Sequence, residues 1–372
     1  MDSLEIDGQP IFPQDRRTGP ERAGLSIEPK APRSLTELRR DSYDTDSALE
    51  VFESLLLIAA GIPVRDDPNR HPLVLAQAAK GLIGLRPERP SQRLMDFALE
   101  MCSTEDSEPV DRELLRVAPE ELGMTVAVHE LEEAIRAGDL EEAYKQTGRL
   151  LMVSDNRALL FDLLLEIAAG RDDTAARTVP FIHSAQRAMD FVGPRNLADF
   201  YLPALEVAAG GQSGAGEVAT GGDGLTTWDV LPYLGEAPLE VVLLAAHTAQ
   251  IAADEHLKLG GIMSGLERTL AALVEPLGEP KESSGRARKG DVQDLIEDAS
   301  EGEQDLAGAI GRHLGHRGDR GWLLEVVEAV EEARLTADLV LWADAFRMLY
   351  RAALEEDYGL LGEVAGVILT RI

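Results

Sequence analysis

The chain has a single cysteine, Cys102, which excludes an intramolecular disulfide framework and any cysteine-built zinc or iron–sulfur centre. Basic residues are also scarce: 36 Lys and Arg face 67 Asp and Glu, for a net charge of −31. That balance argues against a protein that coats nucleic acid or an anionic membrane, because both need clustered cations. Lysine occurs only at Lys30, Lys80, Lys145, Lys258, Lys281 and Lys289, so arginine carries most of the positive charge. No run of 18 apolar residues occurs, and nothing in the sequence is expected to span a bilayer as a helix. The first twelve residues carry neither the basic start nor the apolar stretch of a secretory signal, which makes the cytoplasm the expected location. Several catalytic signatures are missing: Walker A, a GxSxG elbow, HExxH and the Glu-x-x-His pair of di-iron bundles. The glycines between Gly210 and Gly224 follow a helical pattern rather than a strand and make no dinucleotide fingerprint.

What the 372 residues do contain is helix-forming sequence. Ala, Leu, Glu and Arg dominate, and apolar residues recur at spacings of three and four, as at Leu131, Ile135 and Leu140 to Leu151. Alternating β-branched runs are missing, and no Asn-Gly or Asp-Gly turn joins two apolar runs. The expected class is all-α. Gly61 and Gly170 end apolar helical runs, and Gly138-Asp139 reads as a helix stop and restart. The composition divides the chain into a flexible arm (1–34), helical units (35–209), a Gly-rich linker (210–227), a helical region (228–274), a polar loop (275–291) and a C-terminal helical region (292–372).

Two stretches of the helical units read as copies. VFESLLLIAAG at Val51 matches LFDLLLEIAAG at Leu160, and each continues Arg-Asp-Asp. Each then meets a proline that opens an apolar helix, Pro72 and Pro180, and closes on Asp-Phe and Ala-Leu-Glu. The spacing implies a duplicated multi-helix unit of about 100 residues, longer than the common short solenoid repeats. A degenerate third copy is expected from Pro238.

Chemistry then rests on seven histidines: His71, His129, His183, His247, His256, His313 and His316. On a helix expected from Leu239 to Lys258, residues Glu240, His247, Asp254 and Lys258 form a narrow polar stripe with Gln250 at its edge. Such a stripe is either solvated or the lining of a pocket. His183 shares a helix side with Gln186, Arg187 and Asp190, opposite Phe181, Ala185, Ala188, Met189 and Val192, and the same two readings apply. His71 and His256 each precede an apolar run and stand as corresponding positions in two copies. For His71, the preceding Asp66, Asp67 and Asn69 read as turn and cap residues. His313 and His316 are spaced to share a helix face, among Arg312, Arg317 and Arg320, either as a metal or anion site or as a helix end with dipole-complementing cations. Cys102 is expected to be a buried structural thiol. Trp342, Phe346 and Tyr350, on one stripe, are expected in the core.

HPLVLAQAAKGL at His71 and VPFIHSAQRAMDF at Val179 resemble the short His-Pro-apolar helical segments of the questin oxidase-like family, and LEEAIRAGDLEEAYKQTGRLL from Leu131 resembles its helical units. Leu75 stands where a family-like HPLxH segment carries its second histidine. The resemblance implies an all-helical fold with histidines facing an interior cavity, and cofactor-independent oxidation of polycyclic aromatic polyketides. Of the histidines, it extends to His71 and His183.

Two functions are expected from these features. One is a small-molecule binder or oxidoreductase-like enzyme with a His-lined cavity, in which His71, His183 and His247 are catalytic acids, bases or metal ligands and His256 is a further candidate. The other is a non-enzymatic helical scaffold for a protein partner. The direction of the histidines distinguishes them: convergence on one interior site fits the first, dispersal over the surface the second.

Overall fold

A computed structural model describes residues 29–39, 45–65, 67–116, 128–153, 158–171, 174–210, 224–254, 256–278, 320–329, 335–354 and 357–369. His313 and His316, most of the arm and the Gly-rich linker, and much of the polar loop lie outside the described residues. Among those residues the protein is all-helical, with fifteen α-helices, a few 3₁₀ turns and no strand. None of the described helices is long and apolar enough to cross a membrane.

Four helices form a ring at the centre. They are α3 (Pro72–Ile83), α8 (Ala175–Val192), α11 (Leu239–Ala253) and α14 (Ala337–Ala352). Each packs on its two neighbours around the ring: α3 on α8, α8 on α11, α11 on α14, and α14 back on α3. The other helices clothe this ring. On one side α2 (Thr45–Ala60) lies against α3 and α8, with α4 (Gln92–Met101) against α3. On another, α7 (Ala158–Ala169) and α9 (Leu197–Gly210) pack on α8 and on each other. A hairpin of α5 (Val128–Ala137) and α6 (Leu140–Val153) meets α9, and α12 (Leu259–Val274) bridges α7 and α11. α13 (Gly321–Ala329) and α15 (Tyr358–Leu369) cover α14. The remaining two, α1 (Leu35–Leu38) and α10 (Thr227–Val230), are single turns, each opened by a capping box.

Local chemistry explains why the elements stop and start where they do. Gly138 adopts φ 72°, a left-handed conformation that suits glycine and ends α5. Asp139 then accepts a bond from the Glu142 N–H at 3.1 Å and opens α6. α2 and α7 stop immediately before Gly61 and Gly170. Pro72 occupies the first turn of α3, where its missing N–H costs nothing. Pro180 lies inside α8, where it frees the carbonyl four residues earlier. That carbonyl, Ala176 O, accepts a bond from Asn69 Nδ2 at 2.9 Å, so a loop residue 107 positions away repairs the helix.

The core is aliphatic with a few large anchors. Phe52, Phe161, Phe181, Phe200, Tyr201 and Trp342 are fully buried, each side chain contributing roughly 1.5–3 kcal/mol by removal from water. Phe161 meets Tyr201 edge to face at 5.6 Å. Trp342, Phe346 and Tyr350 all lie in the core, as their spacing suggests. Cys102 is fully buried; burial pushes its thiol up to about 12, a structural rather than nucleophilic setting.

Candidate functional site

The interior of the ring is not uniformly apolar, and two of the sequence-selected histidines meet there. His183 on α8 and His247 on α11 are 1 % and 3 % exposed. Their Nδ1 atoms lie 2.8 Å apart, with the rings edge to face at 5.0 Å. The polar stripe on α11 is therefore interior rather than solvated at His247 and Gln250, while Glu240 is exposed.

The helix expected to run to Lys258 ends at Ala253 instead, because Asp254 turns into an extended cap conformation. Asp254 and Lys258 therefore leave the stripe and take separate partners. Lys258 pairs with Glu166 of α7. Asp254 faces His183 Nε2 at 3.7 Å and accepts a bond from Gln250 Nε2 at 2.9 Å. At 3.7 Å the carboxylate and the ring are in electrostatic contact rather than hydrogen-bonded.

Protonation in this chain follows from its partners. A 2.8 Å contact between two Nδ1 atoms needs one donor and one acceptor. The Asp254 carboxylate favours a proton on the facing His183 Nε2. In its neutral form His183 then presents a bare Nδ1, which accepts from His247 Nδ1–H. His247 is left with Nε2 as an open, unprotonated base. Both rings are held neutral. Burial lowers His183 to about 4, against the pull of Asp254. Burial, then the charges of His183, Arg187 and Arg347, lower His247 well below the usual histidine value. Burial raises the Asp254 pKa, but His183, Gln250 and Arg187 outweigh it and hold the carboxyl below the ordinary range.

A second carboxylate–imidazole pair stands near the first. His256, expected to match His71, instead donates from Nδ1 to Asp162 Oδ1 of α7 at 2.7 Å. Asp162 is fully buried, and its other oxygen accepts from the Leu257 and Lys258 N–H groups at 2.6 and 3.2 Å. His256 Nε2 is thereby the bare nitrogen, buried with no partner among the described residues. His256 is close enough for its charge to act on His183.

His71 does not join this group. Its Nδ1 accepts from the Leu73 N–H at 3.1 Å and caps α3, while Nε2–H donates to Ile62 O at 2.9 Å. Both ring nitrogens are occupied by backbone, and the ring packs edge-on against Phe181 at 5.2 Å. Such a histidine holds a loop to a helix and has no nitrogen left for a ligand. His129 is on the surface beside Glu133. Among the described residues no three His, Cys, Asp or Glu side chains are arranged to hold a metal ion.

Next to the histidines lies a polar patch of which the sequence pattern marks Arg187 but not Lys80, Asp344 or Arg347. Lys80 of α3 is buried, with Nζ 4.1 Å above the Phe191 ring. Arg347 and Asp344 of α14 form a buried pair with Nε to Oδ1 at 2.5 Å. Gly81 admits that pair against α3: a β-carbon there would overlap Asp344 Oδ1 and stand 2.8 Å from Arg347 Nε. Arg187 of α8 reaches across the ring to Met348 Sδ at 3.4 Å. The sequence signal for these residues was a cation or amide isolated in an apolar helix, as Lys80 and Gln77 are in LVLAQAAKGLIG. Comparison with protein-family models, with curated proteins and with solved structures finds no match to this chain.

Proposed function

We propose that the protein binds a small organic molecule in the interior of the central ring, and that His247 Nε2 takes a proton from it. The supporting observation is the Asp254–His183–His247 chain: a carboxylate orients one neutral imidazole, which orients a second whose outer nitrogen is open. A neutral histidine fixed in one tautomer presents its lone pair at neutral pH, and the negative charge that develops on a bound acid beside it raises its basicity from the low value of the empty site. The Asp162–His256 pair leaves a second bare imidazole nitrogen, buried, on a ring near enough to act on His183. Oxidation of the bound molecule, implied by the resemblance to questin oxidase-like proteins, is the narrower form of this reading. Removal of an acidic proton from the substrate is the part for which these residues are suited.

The helical units are, on this reading, a duplication that diverged. The α2–α3–α4 and α7–α8–α9 groups share the same pairwise packing, each helix touching the other two of its group. Counted from Pro72 and Pro180, Leu75 of the first copy corresponds to His183 of the second. His183, the ring that orients the His247 base, would then belong to one copy only, with α3 of the other copy packed beside it.

A chromogenic phenol, 4-nitrophenol, tests the site. Wild-type protein should bind it and increase its phenolate absorbance near neutral pH. His247→Gln should abolish that increase and His71→Gln should leave it intact. Absence of binding, or an equal spectrum with His247→Gln, overturns the reading.

The scaffold reading draws on a different observation. An open groove of about 500 Å³ lies between α5 and α6, lined by Glu130, Glu133, Asp139 and Glu142 with Arg149. It suits a basic protein segment, and in a cytoplasmic protein such a partner would dock there without involving the histidines.

A further inference from the structure

We propose that Lys80, Arg187 and Arg347 hold an oxyanion, the carboxylate or phosphate end of the ligand, inside the central ring. The inference rests on the proposed interior binding and adds to it the charge of the molecule bound.

The side chains come from three helices of the ring and face one region. Lys80 and Arg347 are 7 % and 6 % exposed, and Arg187 is partly buried. Their charges act on one another: Arg187 and Arg347 both bear on Lys80, and Arg347 bears on Arg187. The carboxylates that answer them are Asp344, which is buried, and Asp190 and Asp254, which stand toward the solvent edge. Arg351 adds a further, exposed cation acting on Arg187. Buried cations thus exceed buried carboxylates. An uncompensated charge in such a place is costly unless a partner completes it.

The hydrogen bonding shows the same deficit. Arg187 directs Nη1 at a thioether sulfur, a weak acceptor, and its Nε is buried without a partner. Arg347 gives Nε to Asp344, and its Nη2 is buried without a partner. Lys80 rests on an aromatic face. Gln77, one turn before Lys80 and 1 % exposed, has neither amide atom bonded among the described residues. Guanidinium and ammonium donors left open together in one interior are a fit for an oxyanion, which accepts several charge-assisted bonds at once. Arg187 and Arg347 also act on His247, so an acid group held here stands beside the proposed base.

The test is thermal unfolding in sodium acetate and in sodium phosphate, each titrated against sodium chloride at matched ionic strength. Wild-type Tm should rise with a saturating profile in at least one of the two anions, because ligand that binds only the folded state stabilises it by mass action. Acetate alone indicates a carboxylate ligand, and phosphate alone a phosphorylated one. Lys80→Met should reduce the apparent affinity at least tenfold. In chloride the same variant should be more stable than wild type, since it removes an amine whose charged form burial and the two guanidinium groups disfavour. A purely structural lysine on Phe191 gives the opposite sign. Arg187→Gln should also weaken the anion effect. His247→Gln should retain it while losing the 4-nitrophenol response, which separates failure of the anion site from failure of the base. A linear, non-saturating rise shared by wild type and Lys80→Met, or no rise in either anion, overturns the proposal.

Discussion

Replacing both His183 and His247 with glutamine removes two buried groups that the fold holds neutral, and the consequence is a change in how stability responds to acid. In the unfolded chain a histidine titrates near 6.5, whereas His183 in the fold titrates at about 4. Between those values the unfolded state binds more protons than the native state, so stability falls as pH falls. The contribution is fully present above 6.5 and is lost progressively as pH drops toward the folded value. For a ring displaced from 6.5 to about 4, the loss between pH 7 and pH 5 is about 2 kcal/mol. His247 is displaced in the same direction by burial and by its cationic neighbours and adds to that loss. The assay is urea unfolding of wild type and of the His183→Gln/His247→Gln double variant at pH 7 and pH 5. The carboxylates remote from the pair titrate alike in both proteins and cancel in the comparison, and Asp254, still held low by Gln250 and Arg187, stays ionised over the interval. Wild type should lose at least about 2 kcal/mol more than the double variant over that interval. Equal losses would refute the neutral, buried pair.

Three other expectations follow from named contacts. Asp162→Asn removes the charge that holds His256 and the Leu257 and Lys258 N–H groups, and should cost roughly 2–3 kcal/mol in urea unfolding; an unchanged midpoint would contradict the clasp. Gly81→Ala puts a methyl group into the Asp344–Arg347 pair and should cost about 1–3 kcal/mol by overpacking; a neutral result would mean that α3 and α14 are farther apart than described. His71→Ala should cost about 2–4 kcal/mol through the lost α3 cap, the unpaired Ile62 carbonyl and the vacated ring volume beside Phe181, and leave the acid response of the His183–His247 pair unaltered. A change in that response would link His71 to the site.

Helix boundaries were legible where a single residue decides them. Gly61, Gly138-Asp139 and Gly170 mark stops in the sequence because backbone conformation and capping are local matters. The end of α11 was not legible, because Asp254 leaves the helix to face His183 on another element, and nothing within Leu239–Lys258 announces that partner. The same limit applies to Asp162 and His256, which lie 94 positions apart. His183 and His247 stood out as polar residues on apolar helices, but helical periodicity alone does not say whether such a face meets water or another helix. In this fold α8 and α11 are neighbours in the ring, and the two faces meet. Lys80, Arg187 and Arg347 are decided in the same way, by ring packing rather than by local pattern. Most surface helices were readable from spacing because they bury one face, whereas the ring helices are enclosed nearly all round.

The most direct measurement is a ¹⁵N–¹H correlation spectrum of the histidine rings, recorded at pH 7 and again at pH 5. His183 should carry its proton on Nε2 and His247 on Nδ1, and both rings should remain neutral at pH 5. A His247 that is protonated on Nε2, or either ring titrating near 6.5, would contradict the buried base.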